Sequence, residues 1–352
     1  MKDLRVAATK QSLRISTAAC PSEYTCPVKI ATLLLAVTLL AGCGGSSHQK
    51  LAAIGAGLEG PSGLQATVYA RGLKHVSAST LDGNGRLWVT VSGADTHSGD
   101  GVYVVERRGA TPRKIISGLT APLGLVWVGD KLIVSSLGRV TAYTDFDGTT
   151  FRSKRVILDG PVARGENNNI VLAPNGRLVM GVSASCDHCV PASKYSAAIV
   201  TFNTDGSDLR VYASRIRASY GLAFVPGTSE LLASMNQRDD LGAKTPGDWL
   251  AVVHAGQNWG FPNCYGQCAG QPKPVGVLDA HAAAGGVAVL DPSTAVVAEW
   301  QLGKVIEVDL KKNGTDIYLT GFKNPLPLLT TGSGSLLVGD WGSGVLYEIT
   351  KR

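Results

Sequence analysis

The sequence predicts an all-β protein folded as a six-bladed β-propeller. Three observations point there. The chain carries 43 glycines in 352 residues and only 17% charged residues, which suits many short strands joined by tight turns. A unit of two short apolar strands, each fed by a turn, recurs six times. A lone early strand, LQATVY at residues 64–69, stands ahead of the first unit, where it can close a ring.

The units follow one another in order. GRLWVTV with GVYVVE starts at Gly85, DKLIVSS with GRVTAYT at Asp130, and GRLVMGVS with AAIVTFN at Gly176. ELLASM with WLAVVHA starts at Glu230, TAVVAEW with KVIEVDL at Thr294, and GSLLVGDW with GVLYEIT at Gly334. Anchored on Leu87, Leu132, Leu178, Leu231, Val296 and Leu336, the steps are 45, 46, 53, 65 and 40 residues. That period holds four strands' worth of chain, the pattern of a propeller blade. One small sheet cannot bury both faces alone, so neighbours must stack, and a closed ring leaves no exposed edge. Residues 64–69 are expected to complete the last blade beside residues 345–349. The longer steps, around residues 186–193 and 236–247, mark enlarged loops, where propellers carry their function. A two-domain sandwich is the structural alternative.

Ahead of the propeller, residues 1–42 read as a leader ending in a signal peptide. Residues 30–40 form an apolar run of signal length, too short to span a bilayer comfortably. Leu40-Ala41-Gly42-Cys43 is the small-residue pattern at which bacterial lipoproteins are cleaved, leaving Cys43 to carry lipid. Residues 43–60 are then expected as lipidated cysteine and tether, and residues 61–352 as propeller. Translation is expected to begin near Val28. The mature protein would be an exported lipoprotein, facing the periplasm or the cell surface and held to a membrane by acyl chains. The net charge of +6 is partly spent in the leader, on Lys2, Arg5, Lys10, Arg14 and Lys29. The scattered remainder argues against a nucleic-acid partner. Four cysteines remain beyond Cys43, in two close pairs: Cys186 with Cys189, and Cys264 with Cys268. An oxidising compartment favours two local disulfides; a four-thiolate zinc site is the competing reading.

The segment from Arg217 to Cys264 carries the most specific punctuation. Gly221-Leu222-Ala223-Phe224 is followed by Asn236-Gln237-Arg238-Asp239-Asp240, Pro246-Gly247-Asp248 and Asn258-Trp259-Gly260-Phe261-Pro262. That order resembles the soluble quinoprotein sugar dehydrogenases of the sorbosone and glucose/aldose type. The resemblance extends over nearly all the chain after the leader, through LTAPLGLVWVGDKLIVS from Leu119, NNNIVLAPNGRLVMGVSASCDHC from Asn167 and AHAAAGG from Ala280. It implies pyrroloquinoline quinone held with Ca²⁺ at the channel mouth, and a base that takes the proton of a sugar hydroxyl while hydride passes to the quinone. The substrate would be an aldose or an aldehyde. A base near neutral pKa, a Lewis-acid cation and a hydride-accepting cofactor suit that chemistry.

Carried over residue by residue, the resemblance is partial. The family's basic histidine falls on Gly165 or Glu166, so Glu166 and His281 are the candidate substitute bases. Arg217 matches an arginine suited to clamping a cofactor carboxylate. Asn236, Gln237 and Arg238 match the calcium-holding turn, with the backbone carbonyls of Gln237 and Arg238 as expected ligands. Gln237 stands where glycine is usual. Trp259 is the aromatic candidate beside the cofactor. Each has a plainer reading: Arg217 pairing with Asp239 or Asp240, Asp248 capping a turn, Trp259 packing in the core, His281 held structurally. The function readings are a quinoprotein sugar or aldehyde oxidoreductase, a catalytically degenerate propeller that binds a glycan, small ligand or protein, and, by fold analogy alone, a lactonase-like hydrolase.

Overall fold

The computed structural model describes residues 50–93, 99–160 and 167–352. Its strands form six sheets set around a channel, five of four strands and one of six. Blade 1 spans residues 76–117, blade 2 residues 124–159, blade 3 residues 167–214 and blade 4 residues 222–280. Blade 5 covers residues 284–320, and blade 6 covers residues 325–351 together with Leu64–Arg71. Within each blade the chain meanders from the channel outward, every neighbouring pair antiparallel.

The sequence explains which strand lies where. The second strands are LWVTV, KLIVSS, LVMGV, LLASM, TAVVAE and LLVGD, and nearly every residue in them is buried. Each is covered by sheet on both sides and by a neighbouring blade on both faces, so it is a continuous apolar run rather than an alternation. The outermost strand of blade 2, FRSKRVILD, is charged and largely exposed. Charge on such an edge discourages pairing with another chain. Glycine is required where neighbouring blades touch: a Cβ on Gly181 would collide with the Ser219 carbonyl, and one on Gly221 with the Gly285 carbonyl.

The core is divided into six clusters, one at each blade junction. The cluster between blades 6 and 1 joins Ala70, Leu337 and Leu346 to Val76, Leu87 and Val89, so the ring is sealed as tightly there as elsewhere. The seal is the expected early strand. Leu64–Arg71 pairs antiparallel with Val345–Lys351, with Ala66 opposite Ile349 and Ala70 opposite Leu346.

One boundary differs from the sequence reading. Leu51–Gly55 and Leu58–Pro61 form a hairpin that joins the outer edge of blade 5, Glu59 pairing with Thr320. Ile54 and Leu58 are buried in the junction of blades 5 and 6. Residues 51–60 therefore belong to blade 5 and not to the tether; their apolar positions are too few to announce a strand. Cys43 and residues 30–40 lie outside the described residues.

The two N-terminal additions should separate experimentally. Deleting residues 1–62 removes the buried Ile54 and Leu58 and is expected to cost roughly 3–5 kcal/mol while leaving cooperative unfolding. Deleting residues 1–72 also removes the closing strand and is expected to abolish the cooperative transition. Equal melting curves for the two truncations would contradict the closure.

Candidate functional site

Among the described residues, the entries to the inner strands and the ends of the second strands lie on one end of the ring. There, between blades 3 and 4, four segments meet: the loop after Val182 carrying Cys186 and Cys189, the link 215–221, the turn 236–246, and the excursion 254–275. Both expected disulfides are present, Cys186 to Cys189 and Cys264 to Cys268, and they exclude the four-thiolate zinc reading. The excursion climbs beside the outer strand of blade 3. Ser214 N–H donates to the Gln257 carbonyl (2.9 Å), and Phe261 N–H to the Arg215 carbonyl (3.0 Å).

These segments line one narrow crevice, walled by Asp187, Arg215, Arg217, Gln237, Arg238 and Trp259. Three arginines and one acidic residue are among its lining. Arg217 donates from Nη1 to the Asn236 carbonyl (3.1 Å) and from Nη2 to Asp187 Oδ1. Its Nε is buried without a partner among the described residues, as are Asn236 Oδ1, Gln237 Nε2 and Trp259 Nε1. Arg217 thus pairs with Asp187, not with Asp239 or Asp240 as the plainer reading held. Asp240 instead accepts two bonds of 2.6 Å from Arg238, whose guanidinium also lies over the Tyr265 ring at 4.9 Å.

Gln237 is buried and is not among the residues with positive φ, so the turn accommodates a side chain where glycine is usual. Its Oε1 accepts the Gly266 N–H at 3.2 Å. No backbone amide of the described residues donates to the carbonyls of Gln237 or Arg238, the two expected cation ligands. Among the described residues, no three His, Cys, Asp or Glu side chains converge as a metal site. Trp259 is both core and wall. It stacks on Trp249 at 4.4 Å and 28° in the junction of blades 3 and 4, and it also lines the crevice.

The two candidate bases fare differently. Glu166, like Gly165, lies outside the described residues. His281 has φ 58° and places Nε2 3.0 Å from the Gly242 carbonyl and Nδ1 2.9 Å from Asp239 Oδ1. A carbonyl and a carboxylate both only accept, so both contacts are hydrogen bonds when the imidazole carries both protons. The Gly242 carbonyl and then Asp239 hold its pKa above the ordinary value. In that protonated form His281 latches the turn, with both ring nitrogens engaged. Its hold is complete at low pH and is lost as pH rises through that raised pKa. The asparagines after Glu166 are braces: Asn168 Nδ2 donates to Ser183 Oγ (2.8 Å) and the Ser219 carbonyl (2.9 Å).

Three features were not found from sequence. Asp248 is no simple turn cap: buried within a strand, it accepts Gln237 N–H at Oδ1 (2.7 Å) and Ala284 N–H at Oδ2 (3.0 Å), tying the turn to blade 5. An acid inside the apolar run GDWLAVV was the available signal. Across the mouth, His75, Trp341 and Trp300 form an aromatic wall, with ring centroids 4.2 Å and 5.4 Å apart. Asn324 supports it by donating from Nδ2 to the Trp300 carbonyl (3.0 Å). Finally, the Tyr220 hydroxyl donates to the Ser77 carbonyl on the opposite blade, bridging the channel. Beyond that bridge the inner strands line an open space of about 360 Å³ that is more apolar than polar.

The fold is that of the soluble sugar dehydrogenases that use pyrroloquinoline quinone (PQQ). The chain is similar to the PQQ-bound aldose sugar dehydrogenase of Streptomyces coelicolor (TM-score 0.69, 17% identity, 83% of this chain and 100% of that one). It is similar to the holo PQQ domain of a pyranose dehydrogenase from Coprinopsis cinerea (TM-score 0.70, 16% identity, 84% and 97%). It also resembles a Trichoderma reesei carbohydrate-active enzyme of family AA12, solved with calcium (TM-score 0.70, 15% identity, 87% and 98%). No family model and no curated protein sequence matches the chain.

Asp248 yields a pH prediction. Burial pushes its carboxyl up from 3.8 to about 6. The folded state then holds the proton more tightly than the unfolded state, so stability falls as pH rises between those values. A shift of that size corresponds to about 3 kcal/mol. Compared with Asp248→Asn, which cannot titrate there, the wild type should lose about 3 kcal/mol in urea unfolding between about pH 4 and about pH 6.5. Parallel curves for the two proteins would contradict the assignment.

Proposed function

We propose that this chain is an exported quinoprotein oxidoreductase that oxidises an aldose or a related aldehyde with PQQ and Ca²⁺. The observation that carries the reading is the set of buried, unpartnered donors, Arg217 Nε, Gln237 Nε2 and Trp259 Nε1, on one cationic crevice at the mouth. Buried polar groups without partners are rare, and donors beside three guanidiniums suit the carboxylates of a planar polyanion. The solved relatives that carry PQQ share the fold.

The residues present fit the cofactor on its anionic side. Arg217 and Gln237 would take its carboxylates, while Asn236 Oδ1 and the carbonyls of Gln237 and Arg238 would face a calcium ion with oxygen. Bound quinone supplies a two-electron centre that accepts hydride. The His75, Trp341 and Trp300 rings give a sugar an apolar face to rest on. Glu166 is the proposed base for the sugar hydroxyl proton, since His281 is occupied. Glu166→Gln should then abolish turnover and leave quinone binding intact. Two disulfides agree with an oxidising compartment and so with export and lipid attachment at Cys43.

A second reading, a propeller that binds a carboxylate ligand without turnover, is favoured by one observation: Asp187 already occupies Arg217. Calorimetric titration with PQQ, with and without Ca²⁺, separates the two. Calcium-dependent binding supports the oxidoreductase. Absence of binding in both conditions overturns it.

A further inference from the structure

The arginine at the centre of the crevice is held by a carboxylate from the chain's own stapled loop, and the surroundings of that contact suggest a purpose. The loop's stem is pinned to Arg217 itself, Ala184 N–H donating to the Arg217 carbonyl (2.6 Å). Two residues on, the Cys186–Cys189 disulfide closes a four-residue ring with Asp187 inside it. The staple therefore restricts where the Asp187 carboxylate can go, and it rests on Arg217 Nη2. No residue from 184 to 194 belongs to any of the six core clusters. Its outer side shows Val190 and His188 to solvent. A segment with few buried contacts opens at low cost.

The crevice behind Asp187 keeps donors that its own carboxylate does not use. Gln237 is 2% exposed and Trp259 6% exposed; both line the crevice with the three arginines, and each carries an unpartnered N–H donor. While Asp187 is in place, that space admits about one water, some 10 Å³ for its centre. The donors are in position and the room is not.

We propose that Asp187 is an internal stand-in for a ligand carboxylate, making the stapled loop 184–194 an autoinhibitory latch over the anion site. A ligand carboxylate displaces Asp187 from Arg217, and the loop swings outward on its Ala184 stem as the ligand enters. The ligand class is a small polycarboxylate anion. The latch rests on the crevice being an anion site and is separate from any turnover. If the closed loop is held by nine molecules in ten, the apparent affinity of the open site falls about tenfold.

The test uses the full chain and two probes, PQQ with Ca²⁺ and citrate, titrated calorimetrically at low salt. Asp187→Asn should bind the probe about tenfold tighter than wild type, and adding Arg217→Gln should remove the gain. Cys186→Ser with Cys189→Ser keeps the Asp187 charge but frees the loop, and it should show the same direction of gain. Thermal unfolding close to wild type shows that these loop variants remain folded. If Asp187→Asn binds neither probe more tightly, the latch is wrong. If only Asp187→Asn gains while the unstapled variant does not, the effect is long-range charge and the latch is again wrong. A gain for citrate with no quinone binding in any variant keeps the latch and rejects the quinone reading. Tight quinone binding by wild type, unchanged in both variants, keeps the quinone and rejects the latch.

Discussion

Ring closure is the constraint on which everything else rests. No blade has a core of its own; each of the six apolar clusters is shared between two neighbours, so the molecule is stable only if the sixth junction is as complete as the other five. The chain meets that demand by taking the outer strand of blade 6 from its own beginning. Residues more than 270 positions apart are thereby locked in one sheet, and the mouth loops inherit a rigid frame.

That frame decides where chemistry can occur. Because all inner strands run the same way, the ends of the second strands and the entries to the inner strands gather at one mouth. Bulky blade-to-blade contact would push them apart, and glycine at positions such as 181 and 221 lets backbones approach. Asp248 then ties the 236–238 turn to blade 5 across the junction, and Asn168 ties blade 3 to the link that enters blade 4. The result is a mouth with an arginine-rich crevice on one side and an aromatic wall on the other, separated from the apolar end of the channel by Tyr220.

The blades were legible because short apolar strands repeating at a blade-length period can bury their faces only by stacking as a ring. The closing strand was legible because it stood alone before the first unit. The hairpin at residues 51–61 was not, since it is fixed by packing against blade 5 rather than by its own pattern. For the site, the resemblance brought Arg217, Asn236, Gln237, Arg238 and Trp259 together, and all five meet at one crevice or its edge. Their partners were beyond its reach. Asp187 and Arg217 are thirty residues apart, and only the fold of two adjacent blades makes them an ion pair. His281 looked like a spare base in the sequence, yet Asp239 and Gly242 engage both of its nitrogens. Two tryptophans and a histidine from three blades form a wall that no linear motif contains.

The most direct test of the central claim, that the crevice at Arg217 is the ligand site, is a crystal structure of the protein grown with PQQ and Ca²⁺. The account predicts quinone density with a carboxylate on Arg217 and Gln237, and Asp187 displaced from Arg217. Quinone bound instead in the apolar space beyond Tyr220, or a crevice still closed by Asp187 with quinone elsewhere, would contradict it.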